Sequence, residues 1–251
     1  MIPLRDNNPT VRPAVVTVLL IAAVAAVYFL VQPRGGAAQL RFSYANAAIP
    51  CEVVRGRPLT VDEIDHGLGG HDRACDAGDP TSPAPFPDKP VYLAVLVSMF
   101  LHANLLHLGG NALFLWVFGN NIEDRMGRGR FLAFYLAGGV AAALIYVAVQ
   151  PASTTPVIGA SGAIAAVMGA YLVLFPTAPI RTLLFVWIFG VFQDIPAAVL
   201  LLFWLVSQFF VAPGSGVAWT AHVGGFVFGA LVAYAFRNSL RRARPPSGAL
   251  A

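Results

Sequence analysis

Between Ala14 and Val31 the chain runs for 18 residues without a charged side chain. That is about the length an α-helix needs to cross the hydrocarbon of a bilayer. The pattern recurs: Phe131 to Val149 is uncharged for 19 residues, Ile158 to Phe175 for 18, and Val217 to Phe236 for 20, the last interrupted by His222. Ile195 to Val211 is a fifth run, with Gln208 near its end. Ala103 to Asn120 is a sixth, apolar apart from His107 and three asparagines (Asn104, Asn111, Asn120). Only 11% of the residues are charged and 57% are hydrophobic. A soluble domain carries about 25% charge and a disordered chain more, so both classes are excluded. The expected fold class is an all-α membrane protein, a six-transmembrane-helix bundle.

Two apolar stretches are too short to cross. Val91 to Leu101 leads into His102 and is expected as an interfacial or re-entrant piece. Thr182 to Phe192 is followed by Asp194 and Pro196 and is expected to lie along the membrane or dip into the protein, with Pro196 in the first turn of the fifth crossing.

Arginine placement sets the orientation. With both termini cytoplasmic, ten basic residues fall inside: Arg5, Arg12, Arg125, Arg128, Arg130, Arg181, Arg237, Arg241, Arg242 and Arg244. The other six (Arg34, Arg41, Arg55, Arg57, Arg73, Lys89) lie in one long loop, where the positive-inside rule has least force. The short outer connections near Gln150 to Pro156 and Ala212 to Gly216 carry no charge. The chain therefore divides into a cytoplasmic N-terminus (1–13), a first transmembrane helix (14–31), a long extracytoplasmic loop (32–90), a membrane core (91–236) and a basic cytoplasmic tail (237–251). A cleavable signal peptide ending near Gly36-Ala37-Ala38 is disfavoured, because its core would be too long and an odd number of crossings would remain. No basic patch is interleaved with aromatics, so nucleic acid is not an expected partner.

The long loop holds Cys51 and Cys75, the only two cysteines. On an oxidising side they are expected as a disulfide. A metal site with His66 and His71 is the competing reading, but the spacing matches no standard zinc pattern, and no metal or cofactor is expected.

Polar groups at membrane depth are costly and mark function. The short list is His102, His107, Asn111, Ser161 and His222. On a helix His107 and Asn111 share a face, whereas His102 is rotated about 140° away and is expected to face something else. The second, fourth and sixth crossings all start outside, so His107 with Asn111, Ser161 and His222 sit at comparable depth. A serine hydroxyl beside an imidazole base supports acyl transfer. The Ser161 backbone at a helix start, with the Asn111 amide, could stabilise an oxyanion. No Asp or Glu accompanies them near the outer side, so a Ser–His dyad is expected rather than a triad. Gly225 and Gly229 form GxxxG on the sixth crossing, and Gly162 and Gly169 are nearly aligned on the fourth; small residues let membrane helices approach closely. Taken singly, each polar residue has an ordinary explanation: Ser161 bonding its own helix backbone, the histidines solvated near an interface, Asn111 joining helices.

His102-Ala103-Asn104-Leu105-Leu106-His107-Leu108-Gly109-Gly110-Asn111 resembles the HxxxxHxxxN signature of the rhomboid intramembrane serine proteases. Gly159-Ala160-Ser161-Gly162 resembles their GxSG, Ala221-His222 with Gly225 and Gly229 their AHxxGxxxG, and Glu123-Asp124-Arg125 their ExR element. The resemblance covers roughly Val91 to Phe236. It implies a six-helix rhomboid-like core, Ser161 as nucleophile, His222 as base, and Asn111 and His107 assisting the oxyanion. Substrates would be transmembrane segments of other proteins, cut near the extracytoplasmic face within the lipid bilayer. His102, Glu123 and Arg125 would be structural, the last two tying the connection between the second and third crossings. Gly159 is grouped with the other motif glycines as a packing position. The tyrosine that some members place four residues after the serine is Ala165 here, so other neighbours must orient His222. A catalytically silent membrane-protein binder and a small proton-coupled transporter are the alternatives. The first typically lacks the serine or histidine kept here, and the second would need paired carboxylates at the midplane. Abundant arginine, alanine and glycine, with no transit-peptide pattern, suggest a bacterial plasma membrane.

Overall fold

Helix boundaries follow from where charge, proline and glycine interrupt the apolar runs. The computed structural model describes residues 1–71, 73–186, 189–212 and 216–242. Strand β1 is Ile2–Asp6. Helix α1, Val15–Ala26, continues as a wider π-turn to Val31. Four short helices follow in the long loop: α2 (Gly36–Asn46), α3 (Pro50–Arg55), α4 (Val61–Leu68) and α5 (Ala74–Ala77). Next come α6 (Leu93–Ser98), α7 (Leu105–Met126), α8 (Arg128–Val149) and α9 (Ser161–Leu174). Strands β2 (Pro179–Val186) and β3 (Phe189–Pro196) precede α10 (Ala197–Gln208) and α11 (Trp219–Arg242). Of the basic tail expected at 237–251, residues 243–251, with Arg244, lie outside the described residues.

By length and composition two described helices, Arg128–Val149 and Trp219–Leu240, suffice to cross a membrane; Val15–Val31, Ser161–Leu174 and Ala197–Gln208 are apolar but shorter. Helix α7 has 22 residues, about 33 Å, yet its asparagines, His107 and a charged last turn make it more polar. Gly127 alone separates α7 from α8, its φ of +78° turning the chain where a side chain would be strained.

α9 is the central element, packed against α7, α8, α10 and α11, and Ala163 to Tyr171 are buried without a break. A Cβ at Gly169 would overlap the Phe226 carbonyl, and one at Gly225 the Gly162 carbonyl. α9 and α11 are therefore in backbone contact along their glycines. Gly162 also receives the Ala142 methyl group of α8.

The expectation of an all-α chain is corrected by an antiparallel sheet of order β1-β2-β3. The described residues of Thr182 to Phe192, expected to lie along the membrane or dip into the protein, belong to strands β2 and β3, with Pro179 opposite Pro196 and Arg181 opposite Asp194. Arg181 and Asp194 also pair at 3.3 Å. The segment is rich in β-branched and aromatic residues, and β1 supplies a third strand, which a lone hairpin would need for stability. Pro196 accordingly ends β3 and caps α10 instead of sitting in its first turn. Glu123 is corrected too. It accepts bonds from the Val16 and Thr17 amides at 2.9 and 2.8 Å and from Thr17 Oγ1 at 2.8 Å. It thus caps α1 instead of tying α7 to α8, because the N-terminal amides of α1 have no intrahelical acceptor. Arg125 lies over the Phe175 ring, 5.1 Å from its centroid, linking α7 to the end of α9.

Residues 36–89 build a small unit of their own. Cys51 and Cys75 form a disulfide, Cα–Cα 5.9 Å, within an apolar cluster of Tyr44, Ile49 and Leu59. The sulfurs bond each other, so neither is a thiolate for a metal; His66 and His71 stand with ring centroids 5.3 Å apart. Buried Glu52 and Lys89 pair at 2.5 Å. Burial pushes the Glu52 carboxyl up and the Lys89 ammonium down, and each charge opposes the other's shift. The unit is stitched to the bundle where Ala48 bridges Val157, just ahead of α9.

Candidate active site

Ser161 is the first residue of α9 and His222 lies in the first turn of α11. The backbone contact of those helices brings the two side chains together, Ser161 Oγ lying 2.8 Å from His222 Nε2. A hydroxyl at that distance can give its proton to the ring as it attacks a carbonyl. The other ring nitrogen, Nδ1, lies 2.8 Å from Gln208 Oε1 at the end of α10. The Trp204 ring lies over the imidazole at 5.9 Å between centroids, tilted by 38°. With Ala165 buried further along α9, Gln208 and Trp204 are the side chains that contact the His222 ring besides Ser161 among the described residues.

The second cluster is built around the start of α7. Asn104 caps that helix, accepting the His107 amide at 2.8 Å. Asn111, one turn on, is buried with Nδ2 2.9 Å from His102 Nε2. An amide nitrogen donates, so the ring nitrogen accepts and the second Asn111 N–H stays available. His102 is correspondingly not turned away: it is wholly buried, and its ring stands edge-on to His107 with centroids 5.2 Å apart. The helical-wheel expectation fails because α7 begins at Leu105, after His102. Gln32 fixes His102 through both backbone groups, accepting its N–H at 2.9 Å and donating to its carbonyl at 3.1 Å.

Gly159 joins the clusters. It is not a helix-packing residue, as grouped above; it precedes α9 with φ +125°, and its amide donates to the Ser98 carbonyl at 2.9 Å. A Cβ there would stand 2.7 Å from His107 Cε1 and 3.6 Å from Asn111 Nδ2. The Gly159 backbone therefore lies directly against both side chains, two residues before Ser161. The first N–H groups of α9 have no intrahelical acceptor. Hydroxyl, base, a spare side-chain N–H and free backbone donors thus occupy one end of the bundle. Among the described residues no three metal-ligating side chains cluster.

Sequence reasoning missed Gln208, Gln32 and Ser98. Gln208 was legible in part, as the polar residue near the end of an otherwise apolar run expected as the fifth crossing. Gln32 and Ser98 carried no comparable signal.

Residues 90–239 match the Rhomboid domain family. Rhomboid protein 1, mitochondrial, of Saccharomyces cerevisiae is 30% identical over 161 residues, covering 61% of this chain and 44% of the yeast protein. Rhomboid protease GlpG of Serratia proteamaculans is 34% identical over 136 residues, 54% of this chain and 45% of that one. Rhomboid protease GluP of Bacillus subtilis is 40% identical over 78 residues, 31% and 15% of the two chains. The chain thus spans less than half the length of each of these relatives.

Proposed function

From the premise that this chain belongs to the rhomboid family of helical membrane proteins, we propose that it is an intramembrane serine endopeptidase. Its substrates are transmembrane segments of other proteins, cut near the extracytoplasmic face. The 2.8 Å approach of Ser161 Oγ to His222 Nε2 is the observation that carries this reading. Two of the relatives are named as rhomboid proteases.

His222 Nε2 takes the hydroxyl proton as Ser161 Oγ bonds to the substrate carbonyl carbon. The oxyanion that forms is met by the second Asn111 N–H and the Ser161 amide, with His107 beside them. Preorganised donors of this kind are worth about 10²–10³-fold in rate each. His222 then gives its proton to the leaving amine as the peptide bond breaks. Water, deprotonated by the same nitrogen, releases the acyl group and restores the hydroxyl.

Six crossings with both termini cytoplasmic accompany this reading. What supports them is that β1, the Glu123 end of α7 and the β2–β3 hairpin meet at one end of the bundle, while Ser161, His222 and the disulfide-bonded unit gather at the other. The arginine distribution places the first end inside. The composition favours a bacterial plasma membrane, and the matches include a mitochondrial protein as well.

A fluorophosphonate probe applied to detergent-solubilised protein tests the nucleophile. Labelling is expected of the wild type and lost in Ser161→Ala. Cleavage of a single-span substrate should vanish in Ser161→Ala and His222→Ala; cleavage that persists in both overturns the dyad.

A further inference from the structure

The His222 imidazole has two nitrogens, and the dyad uses one. Nδ1 faces the Gln208 amide, and neighbours decide whether that amide presents its oxygen or its NH2 group. Gln208 Nε2 lies 3.2 Å from the Trp204 carbonyl and 3.3 Å from Ser207 Oγ. A backbone carbonyl only accepts, so the NH2 group belongs there, and Ser207 Oγ, which gives its own proton to that carbonyl at 2.6 Å, accepts as well. Oε1 therefore faces His222 and accepts a proton-bearing Nδ1. The lone pair of Nε2 is left for the Ser161 hydroxyl. Gln208 is 7% exposed, so water does not compete freely for this bond.

We propose that Gln208 is a positioning residue of the reaction: it holds His222 in the tautomer and orientation that accept the Ser161 proton, and the working unit is Ser161–His222–Gln208. This rests on the serine-protease reading of the same site. A carboxylate in that place would both orient the ring and stabilise the imidazolium, but an ionised group is costly at membrane depth. A glutamine supplies the acceptor without the charge. It orients the base and leaves stabilisation of the imidazolium to other groups.

Full-length protein in detergent micelles, cleaving a single-span substrate, provides the test. Gln208→Leu removes the acceptor at similar volume. It should lower kcat about 10- to 100-fold, part of what a positioned base contributes, with KM changed by less than about twofold. Gln208→Glu restores the acceptor and should recover most of the rate. Its acid limb should move to higher pH, since a carboxylate beside the ring favours the imidazolium. Among the described residues the titratable group beside the ring is His107 of α7; Ser161 of α9 contributes its hydroxyl, α10 carries no titratable side chain, and α8 meets this turn of α11 through Ile145 against Gly224. An unchanged kcat in Gln208→Leu overturns the proposal. So does equal loss of rate and thermal stability in both variants with the pH profile unmoved, which is what packing alone would give. If Gln208→Leu does not fold, an acid limb at its wild-type position in Gln208→Glu also overturns it. Cleavage that survives Ser161→Ala refutes the protease reading instead, so the two failures are distinguishable.

Discussion

A methyl group built on Gly229 would overlap the carbonyl oxygen of Ala166. α11 and α9 therefore touch backbone to backbone at that level. In a bilayer no hydrophobic force drives helices together, so such close contacts carry much of their association. The obstacle is a main-chain oxygen, which cannot swing aside. Gly229→Ala should cost about 1–3 kcal/mol, and Gly229→Val more. Ser161 and His222 ride on the two helices this contact joins, so cleavage should fall together with the thermal midpoint in detergent. A Gly229→Val midpoint equal to wild type would show that the helices are not in contact.

Gly159 makes a different prediction. Its φ of +125° strains any L side chain, and a Cβ would press on the His107 ring at 2.7 Å. The local cost falls on the residues assigned to the oxyanion. Gly159→Ala should therefore lower kcat by about the 10²–10³-fold of one lost oxyanion donor, with KM little altered. Thermal unfolding and steady-state kinetics on the same sample separate this from global damage. A drop in stability with normal kcat in the folded fraction would mean that His107 and Asn111 do not serve the reaction.

The parts of this molecule that were legible in its sequence are those fixed by the bilayer or by motif spacing. Apolar runs marked α1, α8, α9, α10 and α11, and the expected alternation of direction grouped Ser161 with His222, whose side chains lie 2.8 Å apart. The hairpin was not legible, because eleven apolar residues from Thr182 to Phe192 have no decisive period and their partner strand lies some 175 residues earlier, at Ile2–Asp6. His102 was not legible because the helix begins only after Asn104, so a helical wheel does not reach the residue that contacts Asn111 and His107. Gln208 stands in the sequence only as a polar residue near the end of an apolar run; its contact with His222 comes from α10 packing beside α11, a tertiary fact with no local signature.

Glu123 predicts a loss at the far end of the bundle. Its carboxylate is buried and accepts three bonds from the start of α1, two from Thr17 and one from Val16. Neighbouring Asp124 accepts the Val11 and Arg12 amides at 3.2 and 3.0 Å. Glu123→Ala would leave buried donors without partners, costing about 2–4 kcal/mol, and Glu123→Gln less, since one acceptor oxygen remains. The site is remote from Ser161, so fluorophosphonate labelling of the folded fraction should keep its wild-type rate while the thermal midpoint falls. Slowed labelling in a fully folded sample would contradict this separation.

Acid should loosen the disulfide-bonded unit through Glu63. Its side chain is buried, caps α4 together with Thr60, and pairs with Arg55 at 3.0 Å and Arg57 at 2.6 Å. Burial alone would raise its carboxyl, but the bonds from Arg57 and the Thr60 amide, with the charges of Arg57 and Arg55, hold it below its ordinary 4.5. A carboxyl depressed in the folded state adds stability that is fully present above the unfolded value and disappears as pH falls through the folded one. Glu52 works the other way, since burial raises it and the folded unit binds that proton more readily. The net acid response therefore has two opposed parts, and Glu63→Gln removes only the destabilising one. That variant should be weaker near neutral pH by about 1–3 kcal/mol, discounted because both arginines are partly exposed. Below pH 4.5 it should lose less than the wild type does. Hydrogen exchange of the 60–68 backbone between neutral and acid pH, corrected for intrinsic rates, would read both effects. Parallel pH dependence in the two proteins would remove Glu63 as the source.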